Sequence, residues 1–232
     1  MLVEVLQISG CPHVPPAMTR VREVLDALAP HAELREVVVR DGAQALQVAF
    51  PGSPTVRVDG RDVDPVATPP AMACRFYPNR QGMPDRWAIE AAVLRALRPR
   101  HILFMCVANS ARSQLAEGIA RCLAPTNITI SSAGSVPTRV RPQAIRVLEE
   151  LGIDISSHRS KSVDDIDAET VEAVVTLCAE EVCPTFLGNA ARVHWGLPDP
   201  AAATGEEGAV LDAFRGARDE LRKRLTMLFD GW

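Results

Sequence analysis

The stretch HILFMCV, residues 101–107, constrains this chain most. Its side chains are apolar almost without a break, the pattern of a strand buried on both faces at the centre of a parallel sheet. CVANSARS, residues 106–113, follows at once, and helical periodicity then runs over Ser113–Leu123. A strand that ends in a short turn of small residues and opens directly into a helix gathers backbone N–H groups and the positive helix end at one place. Cys106 and Arg112 stand at the two ends of that turn, with five residues between them. The arginine offers a planar fork that matches a tetrahedral oxyanion. The field that holds such an anion also favours the Cys106 thiolate, which makes Cys106 the candidate nucleophile. Val107, Ala108, Asn109, Ser110, Ala111, Arg112 and Ser113 form the candidate oxyanion-binding loop.

Alternation of strand and helix continues to both sides of this turn. Downstream, strands are expected at 127–133, 172–178 and 192–197, with helices at 141–152 and 205–229. Strands alternating with helices imply a parallel sheet covered by helices. Upstream the pattern reads strand 2–9, helix 17–28, strand 33–40, helix 41–50, a hairpin over 55–63 turning at Asp59-Gly60, and helix 87–98. The Pro-rich stretch 64–84 between the last two is irregular. RPR, 98–100, reads as a linker, so the expected organisation is a domain over 1–97, a linker over 98–100 and a second domain over 101–232.

Composition narrows the function. With 232 residues, 47% hydrophobic and 23% charged, the chain has the balance of an ordinary globular protein, and intrinsic disorder is excluded as its main state. No apolar run reaches the ~18 residues of a membrane span. The opening MLVEVLQISGCPH lacks a basic region and a small-residue cleavage site, so a cytoplasmic protein without membrane attachment is expected. A net charge of −4 with interspersed signs argues against a nucleic-acid partner. The six cysteines, Cys11, Cys74, Cys106, Cys122, Cys178 and Cys183, then read as reduced thiols. Such thiols serve catalysis or metal binding more often than structural disulfides. Cys122, in ARCLA, reads as a packed core thiol.

HILFMCVANSARSQLAEGIAR resembles the phosphate-loop segment of low-molecular-weight tyrosine phosphatases and of the arsenate reductases built on that fold. The resemblance spans about residues 101–229. It implies a four-stranded parallel sheet flanked by helices, the Cys106 loop as the oxyanion site and Asp199, in Asp199-Pro200, as general acid. No cofactor and no metal are implied. Thioredoxin-coupled arsenate reductases carry two further cysteines where this chain has LCAEEVCP, residues 177–184. By that resemblance Cys106 attacks arsenate, Cys178 attacks the Cys106 sulfur and expels arsenite, and Cys183 carries the disulfide outward to a thiol reductant. Five residues along an intact helix separate two Cα atoms by about 7.5 Å. A disulfide wants them within about 7 Å, so the 178–183 segment is expected to be a loop or to unwind on oxidation.

The phosphatases of this fold usually place tyrosines beside the Asp-Pro, whereas this chain reads DPAAATG and its single tyrosine, Tyr77, lies in the other half. Arsenate reduction is the leading reading, a low-molecular-weight protein phosphatase the second, and a non-catalytic oxyanion- or arsenite-binding sensor the third. Departures from the family pattern are Ala111, where many relatives have a cysteine, and Ala108, where a glycine is common. Some reductases bind potassium through residues matching Asn109, Glu117 and Ser132; here SHRSK sets Lys161 near the remaining position, its ammonium a substitute for the ion.

The first half, ordered βαβαββα, resembles thioredoxin- and glutaredoxin-like domains over about residues 1–97. Cys11-Pro12-His13-Val14 stands where that family carries Cys-x-x-Cys, and Pro54 in GSPT matches its cis-proline. Val14 replaces the second cysteine, so dithiol exchange within the motif is excluded. Cys11 with Cys74 and Pro54 is the candidate second redox site, a reductant for the relay in cis in place of thioredoxin or another thiol.

Overall fold

A computed structural model describes residues 1–179, 186 and 188–232. The chain divides into two compact units, Met1–Leu97 and Arg98–Trp232, both α/β. The first is thioredoxin-like: β1 (Leu2–Gln7), α1 (Val14–Leu28), β2 (Glu33–Val38), α2 (Gly42–Gln47), β3 (Thr55–Val58), β4 (Arg61–Asp62) and α3 (Arg86–Leu97). Its sheet has the order β2-β1-β3-β4, with β1 parallel to β2 and antiparallel to β3. The turn between β3 and β4 places Asp59 at φ 47° and Gly60 at φ 80°, the two left-handed positions that a tight hairpin with strand-like twist demands. The α1 stripe Val14, Ala17, Met18, Val21, Val24, Leu25 and Leu28 is buried at helical spacing. This helix begins three residues before the expected Ala17. Pro15 and Pro16 lie in its first turn, where a missing N–H costs nothing, instead of in the turn preceding it.

The second unit comprises β5 (His101–Cys106), α4 (Arg112–Leu123), β6 (Thr129–Gly134), α5 (Pro142–Glu149), β7 (Ala173–Cys178), β8 (Ala191–Leu197) and α6 (Glu207–Phe229). All four strands are parallel in the order β6-β5-β7-β8. Ile102–Met105 of β5 are fully buried, as a central strand requires. Leu103 and Met105 join Ala133, Val174 and Phe186 on one face. The helices α4, α5 and α6 pack against one another and α4 against β5 and β6. Parallel strands deliver their carboxyl ends to one edge, the usual ligand-binding edge of such sheets. Here that edge gathers Cys106, Cys178 and the turn after β8.

Burial on α4 runs from Arg112 to Ala120 and stops. Cys122 lies beyond it and is exposed, so it is a surface thiol and not the core thiol expected. Its apolar neighbours belong to the helix end, where Leu123 is also exposed. Among the described residues no helix is long and apolar enough to cross a membrane.

Candidate active site

Residues 107–111 connect β5 to α4, and their carbonyls are turned outward. Val107 O accepts from Val136 N (2.9 Å), Ala108 O from Thr138 N (3.1 Å) and Ser110 O from Arg141 N (2.9 Å). Asn109 O accepts from the Ser160 hydroxyl (2.6 Å) and Gln114 Nε2 (3.2 Å). A trans peptide sets each N–H opposite the preceding C=O. Fastening four successive carbonyls outward therefore aims the N–H groups of Ala108, Asn109, Ser110 and Ala111 inward. Ala108, Ser110 and Ala111 line a cavity of about 190 Å³ together with Cys106, Val107, Arg112 and Asp199. Amides converging on a concavity at a helix start favour an anion.

Two residues give the loop its path. Asn109 takes the left-handed conformation at φ 45°, which asparagine tolerates better than most residues. Gly134, at the end of β6, lets the loop come close: a Cβ there would lie 2.4 Å from Val107 O and 2.8 Å from Asn109 N.

The Asn109 amide also orients the hydrogen bonds around the sulfur. Its Oδ1 accepts from Lys161 N (2.8 Å) and Gln114 Nε2 (2.9 Å). Its Nδ2 donates to Ser113 Oγ (2.8 Å) and Ser132 Oγ (2.8 Å). Ser113, held by Asn109, shares a hydrogen bond with Cys106 Sγ, 3.0 Å away. Ser132 in turn donates to Glu117. This carboxylate is almost fully buried, and Arg121 and Lys161 Nζ (3.1 Å) neutralise it. One polar chain thus runs from Lys161 through Glu117, Ser132, Asn109 and Ser113 to the sulfur.

Arg112, the first residue of α4, is buried and reaches across the strand ends. Its guanidinium donates to Leu197 O (3.0 Å) and Leu177 O (3.4 Å) and lies 3.5 Å from Asp199 Oδ2. Asp199 caps the turn Pro200–Ala202 by accepting from Ala201 N (3.1 Å), which holds its carboxyl at the cavity. Between Thr176 and Cys178 the register to β8 slips by one, because His194–Leu197 spans the same distance with an extra residue. Such a bulge re-aims a strand end, here carrying Leu197 and Asp199 toward Arg112. Cys178 is the fully buried last residue of β7, next to β5 in the sheet. Cys183 lies outside the described residues, as does the 180–185 stretch expected to be a loop.

In the first unit Cys11 is buried, Cys74 is exposed, and both are free thiols. Pro54 follows a cis peptide bond. Gly134, Gln114, Ser160 and the 136–141 segment were not among the expected site residues. Only Gln114 and Ser160 had a signal, since each adjoins a motif residue.

A cysteine at the carboxyl end of a parallel strand, a loop with its carbonyls turned outward, and an arginine and aspartate at its mouth thus meet around one cavity. Residues 101–231 match the model of the low molecular weight phosphotyrosine protein phosphatase family, and the chain belongs to it. Among its relatives is the arsenate reductase of Halalkalibacterium halodurans, 41% identical over 126 residues that make up 53% of this chain and 91% of that protein. Arsenate reductase 2 of Staphylococcus saprophyticus is 37% identical over 131 residues, 56% of this chain and 95% of that protein. The arsenate reductase of Bacillus subtilis is 39% identical over 126 residues, 53% and 91% of the two chains.

Proposed function

We propose that this chain is a cytoplasmic arsenate reductase that works by attack of Cys106 and a thiol–disulfide relay through Cys178 and Cys183. The observation that carries the reading is the position of Cys178. Met105 pairs with Thr176, so Cys178 lies one residue beyond the position level with Cys106 on the adjacent strand. Adjacent-strand spacing with that offset puts the two Cα atoms about 6 Å apart, within the roughly 4.4–6.8 Å a disulfide spans. Because the one-residue offset turns the two side chains to opposite faces of the sheet, closing the bond requires the end of β7 to move.

The Cys106 sulfur attacks arsenic while the loop amides and Arg112 hold the oxygens, and Asp199 protonates the departing oxygen. Cys178 then attacks the Cys106 sulfur. The S–As bond breaks with its electron pair on arsenic, which leaves as arsenite, and a Cys106–Cys178 disulfide remains. Cys183 attacks Cys178, frees Cys106, and presents the Cys178–Cys183 disulfide to a thiol reductant. Relatives named arsenate reductase at about 40% identity support the substrate. The reductant is thioredoxin, another thiol, or the tethered N-terminal unit.

The residues beside the loop do not fit a bound potassium ion, because the Glu117 carboxylate is already met by Lys161 and Arg121. The Lys161 ammonium takes that role. One observation favours the phosphatase reading: an apolar cavity of about 350 Å³ adjoins Asp199, lined in part by Ala213, Gly216 and Ala217, with room for an ester group.

The test is arsenate reduction with thioredoxin, thioredoxin reductase and NADPH, run beside aryl phosphate hydrolysis. Cys106→Ser, Cys178→Ser and Cys183→Ser each abolish arsenate turnover. Normal turnover in the latter two would sink the relay, and vigorous aryl phosphate hydrolysis would favour the phosphatase. Loss of thioredoxin-independent turnover in Cys11→Ser/Cys74→Ser would identify the tethered unit as donor.

A further inference from the structure

The N-terminal unit has two thiols outside the Cys106–Cys178–Cys183 relay, and the chain between β4 and α3 brings them to a common neighbour. Residues 71–85 have little regular structure but are fastened along their length. Ser53 donates its N–H to Ala73 O (2.8 Å) and accepts at its carbonyl from Arg75 N (2.9 Å), so Cys74 lies opposite Ser53 in a parallel bridge. Buried Arg75 donates to Asp62 (2.7 Å) and stacks over Tyr77, whose hydroxyl donates to Pro54 O (2.7 Å). Farther along, Gly82 lies so close to His13 that a Cβ would sit 2.5 Å from the ring, and Arg20 donates to Pro84 O (2.8 Å).

Ser53 also holds the turn of the other thiol. Its hydroxyl accepts from Ile8 N (3.2 Å), and Ile8 O accepts from Cys11 N (3.4 Å). One residue therefore grips the Cys11 turn through its side chain and the Cys74 segment through its backbone. The two thiols differ in access: Cys11 is 7% exposed, while Cys74 faces solvent. An exposed thiol beside a buried one is the arrangement that two-step exchange needs, one sulfur to meet the partner and one to resolve it. The strap's other contacts, through Arg75, Tyr77 and Gly82, need no sulfur at 74.

We infer that Cys74 and Cys11 form a reversible disulfide that exchanges with a small thiol–disulfide couple of the glutathione type. In the oxidising direction the Cys74 thiolate attacks the small disulfide, forming a mixed disulfide and releasing one thiolate. Cys11 then attacks the Cys74 sulfur, expels the second thiolate and closes the Cys11–Cys74 bond. Two electrons pass to the small disulfide, and two small thiols reverse the process. A separate polypeptide partner that docks along the sheet is disfavoured, because the Ser53 backbone edge is filled by the strap.

The pair is read alone in the full chain with Cys106, Cys122, Cys178 and Cys183 changed to serine, so its failure would leave the arsenate relay untouched. After equilibration in glutathione buffers and alkylation, peptide mapping should show Cys11 joined to Cys74 in a single two-electron step. The effective concentration should exceed the roughly millimolar range that a flexible tether alone provides. Cys11→Ser should trap glutathione on Cys74, and Cys74→Ser should leave Cys11 unmodified. Gly52→Ala, whose Cβ would lie 3.0 Å from the Arg75 backbone, should lower the effective concentration about tenfold by displacing the strap. Tyr77→Phe, which removes only the hydroxyl, should act in the same direction and serves if the first variant does not fold. Independent glutathionylation of both thiols, a wild-type value at or below the millimolar range, or no change in a folded strap variant would overturn the inference. Preference for thioredoxin over glutathione would overturn the assigned partner.

Discussion

Asn109 shows how much one side chain can decide. Its backbone makes the left-handed step that turns the loop, while its amide donates to both serines and so holds Ser113 within hydrogen-bond distance of Cys106. The chain of contacts ends at Lys161, one of only two lysines in the sequence. Lys161→Met would leave a buried carboxylate with Arg121 and Ser132 alone, and loss of a charged hydrogen bond of this kind costs about 1.5–3 kcal/mol. We expect thermal stability to fall by that amount and turnover to fall with it. Exchanging potassium for tetramethylammonium should leave wild-type turnover unchanged. A wild-type rate that rises with potassium would show that the ammonium does not fill the cation position.

At the scale of elements, the site depends on how closely β6 approaches the loop. Gly134→Ala would drive a methyl into Val107 O and Asn109 N, which are backbone atoms and cannot step aside as a flexible side chain would. We expect a folded protein with its loop displaced and arsenate turnover reduced by about 10²-fold, the scale on which misplacement of about 1 Å is felt. Unchanged kinetics would show that the loop has slack. Most elements were legible in the sequence because their signals are local: the apolar run of β5, the Asp59-Gly60 turn and the periodicity of α4 lie within a few residues of one another. The start of α1 was not, since prolines mark both turns and first helical turns. Gly134 and the 136–141 segment were also hidden. Their partners lie some 25 to 30 residues back along the chain, and no short window of sequence records such contacts. Cys122 misled for a related reason, because the place where helix burial ends is set by packing.

At the scale of the whole molecule, three groups in the second unit shape the response to acid, beside Asp154, whose carboxyl is held below its usual range by hydrogen bonds from Ser156. Burial lowers the pKa of both His101 and His158, and hydrogen bonds from Arg215 and Arg218 hold Glu150 down to about 2. For each, the folded value lies below the unfolded one, so stability is complete above the unfolded value and is lost as pH falls through the folded value. The melting temperature of this unit should therefore decline in two stages: first below about 6.5 as the histidines charge, then between 4.5 and about 2 as Glu150 protonates. Calorimetric scans across this range check it. A transition unmoved between pH 7 and 5 would contradict the first stage, and Glu150→Gln should remove much of the second.

The outward carbonyls of residues 107–110 have a consequence for engineering. The eight letters CVANSARS can be copied into any strand–helix junction, but the donors that pull those carbonyls back cannot travel with them. Val136, Thr138, Arg141 and Ser160 come from later in the chain. A transplant lacking that outer frame would carry the nucleophile and the arginine with amides free to turn away, and would bind its anion no better than an ordinary helix start.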